Sequence, residues 1–104
     1  MDLSGKKILV IGAGISGFAA AKIAKKLGAA VVLSDAKAEK DIACDFSELR
    51  KLGIALAFGP QSESLLDDVD MLLVSPAVPV KIPIVQAAYK RQIRVLSEVE
   101  LAYE

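Results

Sequence analysis

Apolar residues fall in short runs separated by segments of mixed polarity. The first, "KILVI" at 7–11, is rich in β-branched residues and stops at Gly12, which predicts a buried strand. From Ile15 to Leu27 the period changes. Ala20, Ile23, Ala24 and Leu27 share one stripe while Lys22, Lys25 and Lys26 lie off it, predicting an amphipathic helix ended by Gly28. "AVVL" at 30–33 is a second strand that closes at Ser34 and Asp35. The polar "AKAEKDIA" that follows reads as an irregular loop. Asp45 and Glu48 have capping-box spacing ahead of Leu49 and Leu52, and Gly53 stops that short helix. Ile54–Phe58 is a third strand, broken by Gly59-Pro60, and Ser62 caps a short turn through Leu66. Met71–Val74 is a fourth strand, stopped by Ser75-Pro76. Pro83 opens a helix that runs to about Arg91. Arg94–Leu96 is a fifth strand. Ser97 then caps a last helix, "EVELAYE", with Leu96, Val99 and Tyr103 as its apolar stripe.

Strands thus alternate with helical segments, and connections of this length favour parallel neighbours with right-handed crossovers. The expected fold is α/β: a single domain with an open five-stranded parallel Rossmann-like sheet and helices on both faces.

Composition narrows the function more by what it lacks. Lys plus Arg equals Asp plus Glu at 13 each, so no net basic field draws the chain to nucleic acid or an acidic membrane. The apolar runs are too short to span a bilayer. The glycines inside "ILVIGAGISG" and the Lys-dotted helix after it argue against a signal peptide. One cysteine, Cys44, excludes an internal disulfide and fits a reducing compartment; without a His partner it reads as an inert thiol. With no histidine, His-based acid/base chemistry and His metal sites are excluded within the chain. There is no G-x-x-x-x-G-K-[ST] loop for ATP. Neither a catalytic residue nor a metal site is expected. The Asp67, Asp68 and Asp70 cluster reads as a solvated loop, and Glu98 and Glu100 point to different sides of a helix.

The chemistry concentrates in "IGAGISGFAAAK" at 11–22. Gly12, Gly14 and Gly17 have the G-x-G-x-x-G spacing between a strand and a helix. The first glycine permits the tight turn, the second lets backbone approach a pyrophosphate, and the third lets helix and strand pack closely. The helix starting near Ile15 aims its free N–H groups and positive dipole end at the anion, and Ser16 adds a hydroxyl donor. Asp35 lies 18 residues past Gly17 at a strand end, where an acidic residue takes ribose hydroxyls in dinucleotide-binding proteins; a helix cap or loop aspartate is the bland alternative. Lys37 either reaches a phosphate or base or is simply solvated. "SPAVP" at 75–79 follows the fourth strand, which with the first flanks the topological switch point; it is either a rigid ligand-presenting loop or a stiff connection.

Taken in order, "KKILVIGAGISGFAAAK", "SDAK", "LRKLGIALAFG", "MLLVSPAVP" and "VLSEVELAY" resemble the N-terminal domain of the bacterial Mur ligases that add D-glutamate, across essentially the whole chain. The resemblance implies a cytoplasmic, three-domain enzyme of peptidoglycan (cell wall) biosynthesis. Its first domain, here 1–96, holds the UDP end of UDP-N-acetylmuramoyl-L-alanine, and 97–104 begin a linker helix toward a central ATP-binding domain. ATP and magnesium belong to that central domain, and a third domain helps bind D-glutamate. The substrate carboxylate is activated as an acyl phosphate and attacked by the amino acid's amine. This chain alone is then inactive and needs no cofactor. Carried over by position, Gly14, Ile15, Ser16 and Gly17 cradle the diphosphate of UDP. Asp35, Ala36 and Lys37 surround the uracil, with Asp35 accepting from the base. Ser75, Pro76 and Ala77 line the diphosphate and sugar side.

The sequence departs from the family pattern at three places. Ala77 stands where glycine is usual, which costs about 1 kcal/mol if that backbone needs φ > 0. Ile82 replaces a polar residue before Pro83, weakening a helix cap. Gly59-Pro60-Gln61 replaces a histidine-bearing form. Two other classes stay open on the residues alone: an NAD-binding module of an oxidoreductase, and a non-catalytic nucleotide-sensing domain.

Overall fold

The computed structural model describes residues 2–76, 78–79 and 81–97. Five parallel strands form one sheet in the order β3-β2-β1-β4-β5. They are β1 Lys7–Ile11, β2 Ala30–Asp35, β3 Ala55–Phe58, β4 Met71–Val74 and β5 Arg94–Ser97. Three α-helices, α1 Ile15–Lys26, α2 Ser47–Lys51 and α3 Pro83–Lys90, lie between them, together with 3-10 turns at Glu39–Asp41 and Glu63–Leu66. The chain leaves β1 toward β2 on one side and returns to β4 on the other. The order therefore reverses between β1 and β4, where open α/β sheets form a crevice at their strand ends.

Alternation along the central strands feeds two cores. Ile8 and Val10 join Val31, Leu33 and Leu73 under Ala20, Ala21 and Ala24 of α1, with Phe46 and Leu49 beside them. Leu9 and Ile11 join Leu72 and Val74 under Leu66, Ile84, Val85 and Ala88 on the opposite face. A strand with both faces covered must be apolar throughout, and β1 and β4 are buried along nearly their whole length. The sheet is accordingly sandwiched between α1–α2 and α3.

The elements differ from expectation in informative ways. β2 continues through Ser34 and Asp35, because these polar residues pair with Ala57 and Phe58. The supposed loop contains the 3-10 turn at Glu39–Asp41, and Glu39 is ion-paired with Arg50 of α2. The capping box does not close. Asp45 accepts from the Ser47 N–H at 2.9 Å, but Glu48 reaches Lys22 of α1 at 3.0 Å instead. Ile54 lies ahead of β3, its N–H donating to the Leu49 carbonyl. Leu96 belongs to β5, paired with Leu73, and not to a helical stripe. The expected last helix, with Glu98 and Glu100, lies outside the described residues.

Candidate functional site at the β1–β4 crevice

β1 ends in the glycine turn. Gly12 has φ +100°, a left-handed conformation, and donates its N–H to the Ser34 carbonyl at 2.8 Å. A Cβ there would lie 2.8 Å from Val78 Cγ2 and 3.0 Å from Ser75 Cβ. The first glycine therefore lets the β4 loop close over the turn. A Cβ on Gly17 would lie 1.6 Å from the Gly12 carbonyl oxygen, so the third glycine seats α1 directly on the turn. Gly14 behaves otherwise. Its φ is −77°, and among the described residues beyond its chain neighbours nothing approaches within 4 Å of a Cβ built there.

Gly14 is also the N-cap of α1, with no side-chain cap and no acidic residue in the first turn. A helix start leaves its first N–H groups without intrahelical partners, and the dipole adds partial positive charge. Ser16 is half-buried in this turn, while Ile15 is 92% exposed. The arrangement is suited to an anion approaching over Gly14.

Asp35 ties the turn to the end of β2. Its Oδ2 accepts from the Ala13 N–H and its Oδ1 from the Lys37 N–H, each at 2.9 Å. The 35–37 loop is fixed in turn by the Gly59 N–H, which is within bonding distance of both the Asp35 and Lys37 carbonyls. A cavity of about 300 Å³ opens beside it, lined by Gly12, Asp35, Ala36, Lys37, Gln61 and an apolar wall that includes Ile82. Ile82, as N-cap of α3, gives no side-chain cap but packs into the core beneath α3 and into this wall.

The predicted residues are thus only partly gathered. Gly12, Asp35, Ala36 and Lys37 share the cavity, and Gly14, Ile15, Ser16 and Gly17 form the adjoining helix start. Ser75 is buried, with its N–H on the Ile11 carbonyl, and together with Pro76 borders a second cavity of about 180 Å³ toward β5 and Tyr89. Val78 lines both cavities. Ala77 lies outside the described residues. Gln61, noted in the sequence only as a departure, belongs to the first cavity: its Nε2 donates to Ser34 Oγ at 3.0 Å.

The remaining candidates are engaged elsewhere. Asp67 accepts from Arg91, and Asp70 accepts from the Lys7 N–H at the opposite, N-terminal end of β1. Among the described residues no group of three or more acidic, His or Cys side chains is arranged for a metal ion. Cys44 is exposed. No helix among these residues is long and apolar enough to cross a membrane.

The sequence profile described as "Mur ligase MurD-like, N-terminal domain" matches residues 6–97. This chain belongs to that family. The chain is 43% identical over 104 residues to the UDP-N-acetylmuramoylalanine–D-glutamate ligase of Caldicellulosiruptor saccharolyticus, covering 99% of itself and 23% of that protein. The chain thus spans about a quarter of the length of such MurD-like relatives. Among solved structures it is similar to the UDP-N-acetylmuramate-alanine ligase MurC from Thermotoga maritima, with TM-score 0.72 and 26% identity, covering 93% of this chain and 21% of the other. Shikimate dehydrogenase from Aquifex aeolicus shares the fold, with TM-score 0.62 and 20% identity, over 97% of this chain and 45% of the other. The MurD-like domain is thus a Rossmann-like unit whose sequence similarity points to ligases, while dehydrogenases share only its architecture.

Proposed function

We propose that this domain binds the UDP part of UDP-N-acetylmuramoyl-L-alanine, as the substrate-holding unit of an ATP-dependent D-glutamate ligase of peptidoglycan synthesis. The observation that carries the reading is the contrast among the three glycines. Gly12 and Gly17 are filled by the protein's own packing, while Gly14 is left open above an uncapped helix start. The diphosphate would rest there on the N–H groups of Ile15, Ser16 and Gly17. The uracil would enter the neighbouring cavity beside Asp35, Ala36 and Lys37, where Asp35 accepts from the base. Ser75 and Pro76 would line the diphosphate and sugar side.

In this role the chain does no bond-making. It fixes one end of a long substrate so that the distant carboxylate is presented elsewhere, exchanging the entropy of a free substrate for binding energy at the nucleotide. On the same reading ATP and magnesium would be held by other parts of the whole ligase, acting in the cytoplasm; the sequence has no G-x-x-x-x-G-K-[ST] loop, and among the described residues no acidic group is arranged for a metal ion.

Titration of the isotope-labelled chain with UDP, followed by amide NMR, tests the proposal. Shifts should centre on Gly14–Gly17 and Asp35–Lys37. Shifts confined to residues far from both segments would refute it. NADH binding at this crevice in the absence of any UDP response would favour the oxidoreductase reading.

A further inference from the structure

Ser34 is a polar residue on an apolar face. It pairs with Ile11 across the β1–β2 ladder and follows Val32 by two residues, so it shares their side of the sheet, the side covered by α3. Its relative exposure is 0%. Its hydroxyl is met by Gln61, 27 residues later in the chain, whose Nε2 donates at 3.0 Å. Gln61 is half-buried and lines the same cavity as Asp35. A carboxamide has two N–H donors, and the bond to Ser34 uses one of them. The bond also sets which end of the amide meets the sheet. A cavity wall thus carries a neutral, anchored donor near a carboxylate acceptor.

That pair has a chemical complement. An imide edge, as in uracil, presents one N–H flanked by two carbonyl oxygens. A carboxylate oxygen accepts from the N–H, and an amide N–H donates to a neighbouring carbonyl. Each Asp35 oxygen bonds one backbone N–H and keeps a second lone pair for this purpose. We infer that Gln61, anchored by Ser34, is a base-reading residue that donates its second Nε2 hydrogen to a carbonyl oxygen of the pyrimidine imide. The inference rests on the UDP reading above and adds the residue that makes the cavity select an imide. Cytosine has no N3–H for Asp35, so the same pair disfavours it.

Three variants separate this role from a structural one. Gln61→Leu keeps the bulk but removes the donor and strands the Ser34 hydroxyl. Ser34→Ala with Gln61→Leu removes that stranded group. Ser34→Ala alone frees the amide. Affinities for UDP, uridine, CDP and inorganic pyrophosphate are measured by amide NMR, and thermal midpoints are measured alongside. The expected result is that Gln61→Leu weakens UDP and uridine about tenfold, the effect of one lost hydrogen bond to a ligand. Pyrophosphate binding should be unchanged, and the preference for UDP over CDP should shrink. The double variant should recover thermal stability without recovering UDP affinity, and Ser34→Ala should fall between. Wild-type affinity for UDP in a folded Gln61→Leu or double variant would overturn the inference while leaving the UDP site standing. Absence of any UDP response in the wild-type chain would instead remove the UDP reading, and this inference with it.

Discussion

The Gly12 carbonyl oxygen occupies the space that a Cβ on Gly17 would need, at a separation of 1.6 Å. The atom in the way is backbone at the end of a buried strand, not the flexible tip of a side chain. Neither β1, hydrogen-bonded on both sides, nor α1, packed on the sheet, can shift without breaking its core contacts. Gly17→Ala should therefore cost roughly 3 kcal/mol or more. For a domain of this size the thermal midpoint should fall by roughly 15 °C. Calorimetry of the single variant checks this, and an unchanged midpoint would mean that α1 is not seated on the turn as described.

Gly14→Ala separates binding from folding. Its backbone is in an ordinary extended conformation and the added methyl meets nothing. Stability should fall by only about 0.5–1 kcal/mol, the difference between glycine and alanine at a helix N-cap. The methyl would stand where the diphosphate approaches the helix, so UDP affinity should drop about tenfold, or ~1.4 kcal/mol. Urea unfolding and UDP titration on the same sample give both quantities. Undiminished UDP binding would move the diphosphate away from this turn.

Acid sensitivity should be traceable in part to Asp45. The Ser47 backbone N–H, and to a lesser degree its side chain, hold the Asp45 carboxyl below the ordinary carboxylate value. A group whose pKa is lowered by folding adds stability above its unfolded pKa, about 3.9 for Asp, and loses it as pH falls through the folded value. The α2 entry should therefore loosen below about pH 4. Asp45→Asn should flatten that part of the stability-versus-pH curve and leave the neutral region nearly unchanged. An acid limb identical to wild type would show that the Ser47 contact is not maintained in solution.

The sheet was legible because each strand is announced by its own residues. "MLLV" is apolar on both faces and bounded by Asp70 and Ser75-Pro76, and β4 spans those four residues. Signals that need a distant partner were not legible. The apolar run marks β2 only to Leu33 and its close at Ser34 and Asp35, and it takes β3 to pair both residues into the sheet; Glu39 reads as part of a polar loop until Arg50 is found beside it. The capping-box spacing at Asp45 and Glu48 was sound locally, but Lys22 of another helix captured Glu48. The candidate site divides the same way. The glycine turn and Asp35 are readable from spacing, whereas Gln61 joins them only because the β3 connection folds back over Ser34.

Asp35 should couple folding to binding more directly than any other residue of the crevice. Its two oxygens tie Ala13 of the glycine turn to Lys37 of the cavity loop, beside the backbone bonds from Gly12 to Ser34 and from Gly59 to Lys37. Asp35→Asn replaces one acceptor oxygen with a donor that faces a backbone N–H. One bond is lost and two donors are opposed, at a cost of about 1–3 kcal/mol. Asp35→Ala loses both bonds but leaves no opposed donor, so its stability loss should be of similar size. The two should differ in binding. Asparagine retains one acceptor oxygen, whereas alanine retains none for the base, so UDP affinity should fall further in Asp35→Ala. Both variants should still bind pyrophosphate more nearly as the wild type does, because the helix start remains. Titrations of UDP and pyrophosphate against the two variants, with unfolding curves for each, test the ordering. Equal loss of both ligands would mean that Asp35 acts only by holding the turn in place.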